Sequence, residues 1–187
     1  LTHAPRPRQN LVRRLEPRHA NVSKRLVKSP RIYVRDSGLV HALLRLASLD
    51  QVFGHPVAGA SWEGFVIENL IGAATKSANA SFYRTAAGDE IDLVVERTGG
   101  KLWAIEIKLG LAPTPEKGFY RAIEDLAPER TFIVYSGTER VFVDGVDTGT
   151  TRVVLSAGKS RGPELRVLPG QPGIHEISVS MTTAEDT

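Results

Sequence analysis

The sequence predicts an α/β domain, because a helical apolar period, three strand-like runs, a second helix and a further strand succeed one another between residues 61 and 136. Ser61 suits the N-cap of a helix reaching Lys76, with Val66, Ile67, Leu70 and Ala74 on one face. Strands are expected over Ser81 to Thr85, Glu90 to Glu96 and Leu102 to Lys108. The last two flank Arg-Thr-Gly-Gly-Lys, a hairpin signal. Thr114 and Pro115 fit the N-cap and first position of a helix through Phe119, Ile123 and Leu126, which Pro128 stops before a strand from Thr131 to Tyr135.

On either side of this core the pattern is weaker. Residues 1–30 are expected to be a basic linker or the end of an upstream domain, since the segment to Pro17 is rich in proline and arginine and lacks an apolar period. The core is taken as 31–136. It opens with a short strand, Arg31-Ile32-Tyr33-Val34, and Asp36 as N-cap of a helix through Leu39, Val40, Leu43, Leu44 and Ala47. Residues 137–187 read as peripheral strands and a tail, from short apolar runs at 141–143, 153–155, 165–168 and 174–179 among glycines and prolines.

Composition narrows the function classes. The 187 residues contain no cysteine, which removes disulfides, thiolate metal sites and cysteine nucleophiles. The apolar run Leu39 to Leu49 is interrupted by His41, Arg45 and Ser48 and falls short of the roughly 18 residues of a membrane span, so a cytoplasmic protein with no membrane partner is expected. No Gly-x-Ser-x-Gly occurs, and the five histidines lack zinc spacing. "GAATKS" from Gly72 lacks the second glycine of a phosphate-binding loop, so this chain is not expected to hold ATP. Residues 1–35 carry ten basic residues and one acid, against 14 and 20 in the remainder. Such a concentration attracts phosphate backbones, with Arg13, Arg14, Lys24, Arg25 and Lys28 as candidate nucleic-acid contacts.

Four side chains stand out within the core. Helical projection puts Glu63 in the middle of the apolar face, where a carboxylate needs a cation or several donors. An ordinary ion pair with a residue such as Arg84 is the alternative, and Glu68 falls on the opposite, solvated side. In the paired strands Ile91, Leu93 and Val95 share a face with Trp103, Ile105 and Ile107, which brings Asp92, Glu106 and Lys108 together. Converging carboxylates repel unless a hard cation lies between them, and oxygen donors of this kind suit Mg2+ or Mn2+. The site requires an odd hairpin loop. With Thr98, Gly99 and Gly100 as the loop, Asp92 lies opposite Glu106; with Gly99, Gly100 and Lys101 it lies opposite Lys108; a two-residue loop breaks the arrangement.

Glu63, Asp92 and the Glu106-x-Lys108 pair resemble the signature of the PD-(D/E)XK nuclease superfamily. More narrowly, "NVSKRLVKSPRIYVRDSGLVHALL", "WEGFVIENL", "YRTAAGDEIDLVVE" and "AIEIK" resemble a domain of unknown function that follows AAA+-type ATPase modules in bacteria and archaea. The resemblance spans residues 17 to 136. It implies a restriction-endonuclease-like core, helix, three strands, helix, strand, with a mixed central sheet flanked by helices. It further implies metal held by Asp92, Glu106, the main-chain carbonyl of Ile107 and Glu63, with Lys108 assisting catalysis. The expected function is metal-dependent phosphodiester cleavage of DNA, in a protein whose ATP-binding module lies upstream. A non-cleaving nucleic-acid-binding or regulatory module of such an ATPase is the alternative.

Overall fold

The computed structural model describes residues 11–20, 23–74, 78–110 and 114–136, and the strands at 151–157, 164–168 and 176–181. It is an α/β protein built on a mixed sheet. Six strands come from the first part of the chain: β1 (Val12–Pro17), β2 (Arg31–Val34), β3 (Asn79–Arg84), β4 (Glu90–Glu96), β5 (Leu102–Lys108) and β6 (Arg130–Tyr135). Four helices accompany them: α1 (Ser37–Leu43), α2 (Leu49–Phe53), α3 (Ala58–Ala73) and α4 (Lys117–Leu126). β7 (Thr151–Ala157), β8 (Glu164–Leu168) and β9 (Glu176–Met181) extend the sheet, giving the order β2-β1-β3-β4-β5-β6-β7-β9-β8. The run expected at 141–143 lies outside the described residues, as do residues 1–10 and 182–187.

Two helices cover the two faces. α3 buries Val66, Ile67 and Leu70 against Leu15, Phe82, Leu93, Val95, Ile105, Ile107, Phe132 and Val134. On the other face α4 packs Phe119, Ala122 and Leu126 on Tyr83, Ile91, Val94, Ala104 and Ile133. Burial on both sides explains why β4, β5 and β6 read as nearly continuous apolar runs.

Several expectations need correction. Residues 12–17, within the segment expected to be a linker or the end of an upstream domain, form a core strand: β1 pairs antiparallel with β2 and parallel with β3, and Leu15 is 1% exposed in the α3 core. Proline at the end of the strand and arginines along it disguise a core element. α3 begins at Ala58, one turn before Ser61, whose hydroxyl instead meets His41 Nε2 at 2.7 Å. α4 begins at Lys117, without a side-chain cap from Thr114. Asp36 does cap α1, accepting from Leu39 N at 3.2 Å.

The hairpin between β4 and β5 fixes the site. Leu93 pairs with Ile105 and Glu96 with Leu102, while Arg97 N donates to Lys101 O at 2.8 Å, leaving Thr98, Gly99 and Gly100 as a three-residue loop. Gly99 and Gly100 have φ of 84° and 75°, a region that residues with a Cβ rarely adopt. Continued by one step, the register sets Asp92 opposite Glu106. β4 also carries a bulge: between the pairs Ser81/Val94 and Tyr83/Ile91 it advances three residues for two on β3. The expected alternation therefore fails at Ile91, which packs with α4, whereas Leu93 and Val95 pack with α3.

Candidate functional site

Asp92 lies at the point where β4 leaves its ladder with β5. Its Oδ2 accepts from Ile107 N at 2.9 Å, so the carboxylate occupies the fork between the strands. The N–H and C=O of a strand residue point to the same neighbour, so the Ile107 carbonyl also faces the β4 side. Glu106 is 5% exposed. Its Oε1 is 2.8 Å from Lys108 Nζ, and its Oε2 is buried without a hydrogen-bond partner. Trp62 of α3 donates from Nε1 to Lys108 O at 3.1 Å, tying the helix to the end of β5.

Glu63 comes to this region from α3, but its partners were not legible in advance. Arg31 Nη1 lies 3.0 Å from Glu63 Oε1 and 3.4 Å from Asp92 Oδ1, and Arg31 Nη2 pairs with Glu90. The guanidinium also lies 4.8 Å from the centre of the Phe82 ring. Tyr33 donates its hydroxyl to Glu63 Oε1 at 2.6 Å. Gly64 permits that approach, since a Cβ there would meet Tyr33 Cδ1 at 3.3 Å. Arg84, the partner considered for Glu63, pairs with Glu90 instead.

Arg31 and Tyr33 escaped notice because β2 inverts the usual alternation. Its apolar residues point outward, Ile32 being 59% and Val34 37% exposed, while Arg31 and Tyr33 turn toward α3. The available signal was Glu63 itself, since a carboxylate on an apolar helix face demands a cation from some neighbouring strand.

The electrostatics follow from burial. Desolvation, reinforced by the Asp92 charge, pushes the Glu106 carboxyl up to about 7 despite Lys108. Glu63 is raised for the same two reasons, against the pull of Tyr33 and Arg31. Burial opposes charge on Lys108, but the hydrogen bond and charge of Glu106 outweigh it and the ammonium is held above its ordinary value.

Among the described residues no group of three or more His, Cys, Asp or Glu is arranged to hold a metal ion. Arg31 stands between Glu63 and Asp92. By chemistry the region offers oxygen donors, the carboxylates of Glu63, Asp92 and Glu106, and one buried Glu106 oxygen has no hydrogen-bond partner among the described residues.

The basic residues divide into two groups. Arg13 makes a two-pronged pair with Glu68 at 2.8 Å, Arg14 meets Glu16, and Lys24 bridges Asp89 and Asp125. Glu68, expected to be solvated, also pairs with Arg35. Arg25 and Lys28 are exposed, and neither is in an ion pair among the described residues.

Fold and site together define an α/β protein with a carboxylate and lysine cluster at a fork in its sheet. The chain belongs to the family described as Domain of unknown function (DUF4143), whose model matches residues 58–155. A second model, Domain of unknown function (DUF8612), matches residues 8–50. The chain is 42% identical over 131 residues to uncharacterized proteins of Mycobacterium bovis and Mycobacterium tuberculosis, an alignment covering 70% of this chain and 29% of each relative. It thus spans less than a third of the length of these relatives. No solved structure matches it. Glu63, Asp92, Glu106 and Lys108 fall within the first family match, whereas Arg31 and Tyr33 fall within the second.

Proposed function

We propose that this chain is a restriction-endonuclease-like, metal-dependent phosphodiesterase domain acting on DNA, within a longer cytoplasmic protein that carries an AAA+-type ATPase module. The observation that carries the reading is Glu106: a buried carboxylate beside Asp92 and Lys108, with one oxygen left unsatisfied. Uncompensated burial of this kind is costly and recurs where function demands it. Asp92, Glu106, the Ile107 carbonyl and Glu63 would hold Mg2+ or Mn2+. Such an ion, when bound, supplies an activated water and positive charge toward the scissile phosphate.

The residues of the chain do the remainder. Lys108 keeps its proton beside Glu106 and presents an ammonium to the developing phosphate charge. Asp92 is held in the fork by Ile107 N–H, and Trp62 fixes the end of β5. Of the five candidate cations, exposed Arg25 and Lys28 are the two without an ion pair among the described residues and would meet the DNA backbone, while Arg13, Arg14 and Lys24 are engaged in ion pairs. ATP belongs to the upstream module.

Plasmid nicking with Mg2+ or Mn2+ tests the reading. Lys108→Ala should slow cleavage by about a hundredfold or more while leaving DNA affinity nearly unchanged. A wild-type chain that binds DNA but never cleaves it would favour a second reading, a non-cleaving regulatory module. That reading draws support from Arg31, which already satisfies Glu63 and Asp92 as an ion-paired network.

A further inference from the structure

We propose that Arg31 is a resident cation that holds the Glu63 and Asp92 carboxylates closed, and that a divalent ion enters only when β2 withdraws this guanidinium. The inference rests on the metal-site reading above and adds its regulation. Glu63, Glu90, Asp92 and Glu106 bring four carboxyl groups into one neighbourhood. Lys108 is engaged with Glu106 and Arg84 with Glu90, and among the described residues Arg31 is the cation in ion-pair contact with both Glu63 and Asp92. A hard dication and a guanidinium seek the same oxygens, so their occupancies exclude one another.

A second observation points to a ligand at this place. Glu106 Oε2 has no partner, and its side chain is 7% exposed. Arg31 reaches Glu63, Glu90 and Asp92 but leaves this oxygen unsatisfied. The guanidinium is therefore an incomplete substitute for whatever the cluster is built to hold.

The strand that carries Arg31 is suited to withdrawal. β2 has four residues and, among the described strands, forms the edge of the sheet and pairs with β1 alone. Ile32 is 59% and Val34 37% exposed, so that face of β2 has less packing to lose than the face carrying Arg31 and Tyr33. Its hold on the cluster consists of the Arg31 contacts, the Phe82 ring and the Tyr33 hydroxyl.

The test titrates Mn2+ into the full chain at pH 8 by calorimetry, with melting temperature measured with and without Mn2+. Arg31→Met should bind Mn2+ about tenfold or more tightly than wild type, within the range of coupling between exclusive ligands. Its melting temperature should also rise more on Mn2+ addition. Arg31→Lys keeps a charge but loses the fork, and should fall between the two. Asp92→Asn added to Arg31→Met should remove the gain, which locates the ion. If Arg31→Met folds poorly without metal, rescue of its melting transition by Mn2+ is the expected result, and Arg31→Lys supplies the affinity comparison. Wild-type binding with no gain in either Arg31 variant overturns the lock and leaves the metal site standing. Failure of all three chains to bind Mn2+ overturns both.

Discussion

At Glu106 burial and charge conflict within one side chain, and the conflict has a direction in pH. The folded carboxyl titrates near 7 instead of its ordinary 4.5. Between these values the folded state holds more protons than the unfolded state, so stability falls as pH rises through that window and flattens above it. Glu63 contributes with the same sign, being raised as well. Glu68 and Asp89, held low by Arg13 and Arg35 and by Arg121 and Lys24, lose their contribution only as pH falls below the ordinary carboxylate range. Urea unfolding at pH 5 and pH 8 therefore isolates the raised groups. Glu106→Gln should flatten the wild-type decline by on the order of 1–3 kcal/mol. An identical decline in the variant would mean that Glu106 is not the group that titrates.

At the level of elements, the legible parts of the chain were those where local pattern and burial agree. β2, β4 and β5 fall on their expected boundaries, and the three-residue loop Thr98-Gly99-Gly100 sets a register that pairs Leu93 with Ile105. Local pattern failed where tertiary contacts overrule it. β1 looks like a proline- and arginine-rich leader, yet Leu15 fills the α3 core while Arg13 locks onto Glu68. Nothing within residues 12–17 announces a parallel partner more than sixty residues away in β3. The bulge that turns Ile91 toward α4 depends equally on the partner strand. If β1 is a core strand, Leu15→Ala should cost about 2–4 kcal/mol, the usual penalty for a cavity at a fully buried leucine. Chemical denaturation followed by Trp62 and Trp103 fluorescence would measure it, and a change below about 0.5 kcal/mol would return β1 to the status of a leader.

For the molecule as a whole, two separately matched segments share one core and one charged cluster. Residues 8–50 supply Leu15 to the α3 core, Tyr33 to the surface of Gly64, Arg31 to the carboxylates, and Arg13 and Arg35 to Glu68. No helix among the described residues is long and apolar enough to cross a membrane. A boundary drawn near residue 50 would expose the β3 edge, open Val66, Ile67 and Phe82 to water, and leave Glu63, Asp92 and Glu68 without their arginines. Removing one partner from a largely buried ion pair costs a few kcal/mol, and domain stability is only about 5–15 kcal/mol. A chain beginning at residue 51 is accordingly expected to lose cooperative melting, whereas the full chain should unfold in one transition, with circular dichroism and tryptophan fluorescence coinciding. Removal of residues 1–16 alone should lower the midpoint as well, because it takes away most of β1 along with Leu15 and Arg13. Equal melting temperatures for the full chain and the chain from residue 51 would separate the two segments as independent units, and would take from Arg31 any structural claim on the carboxylate cluster.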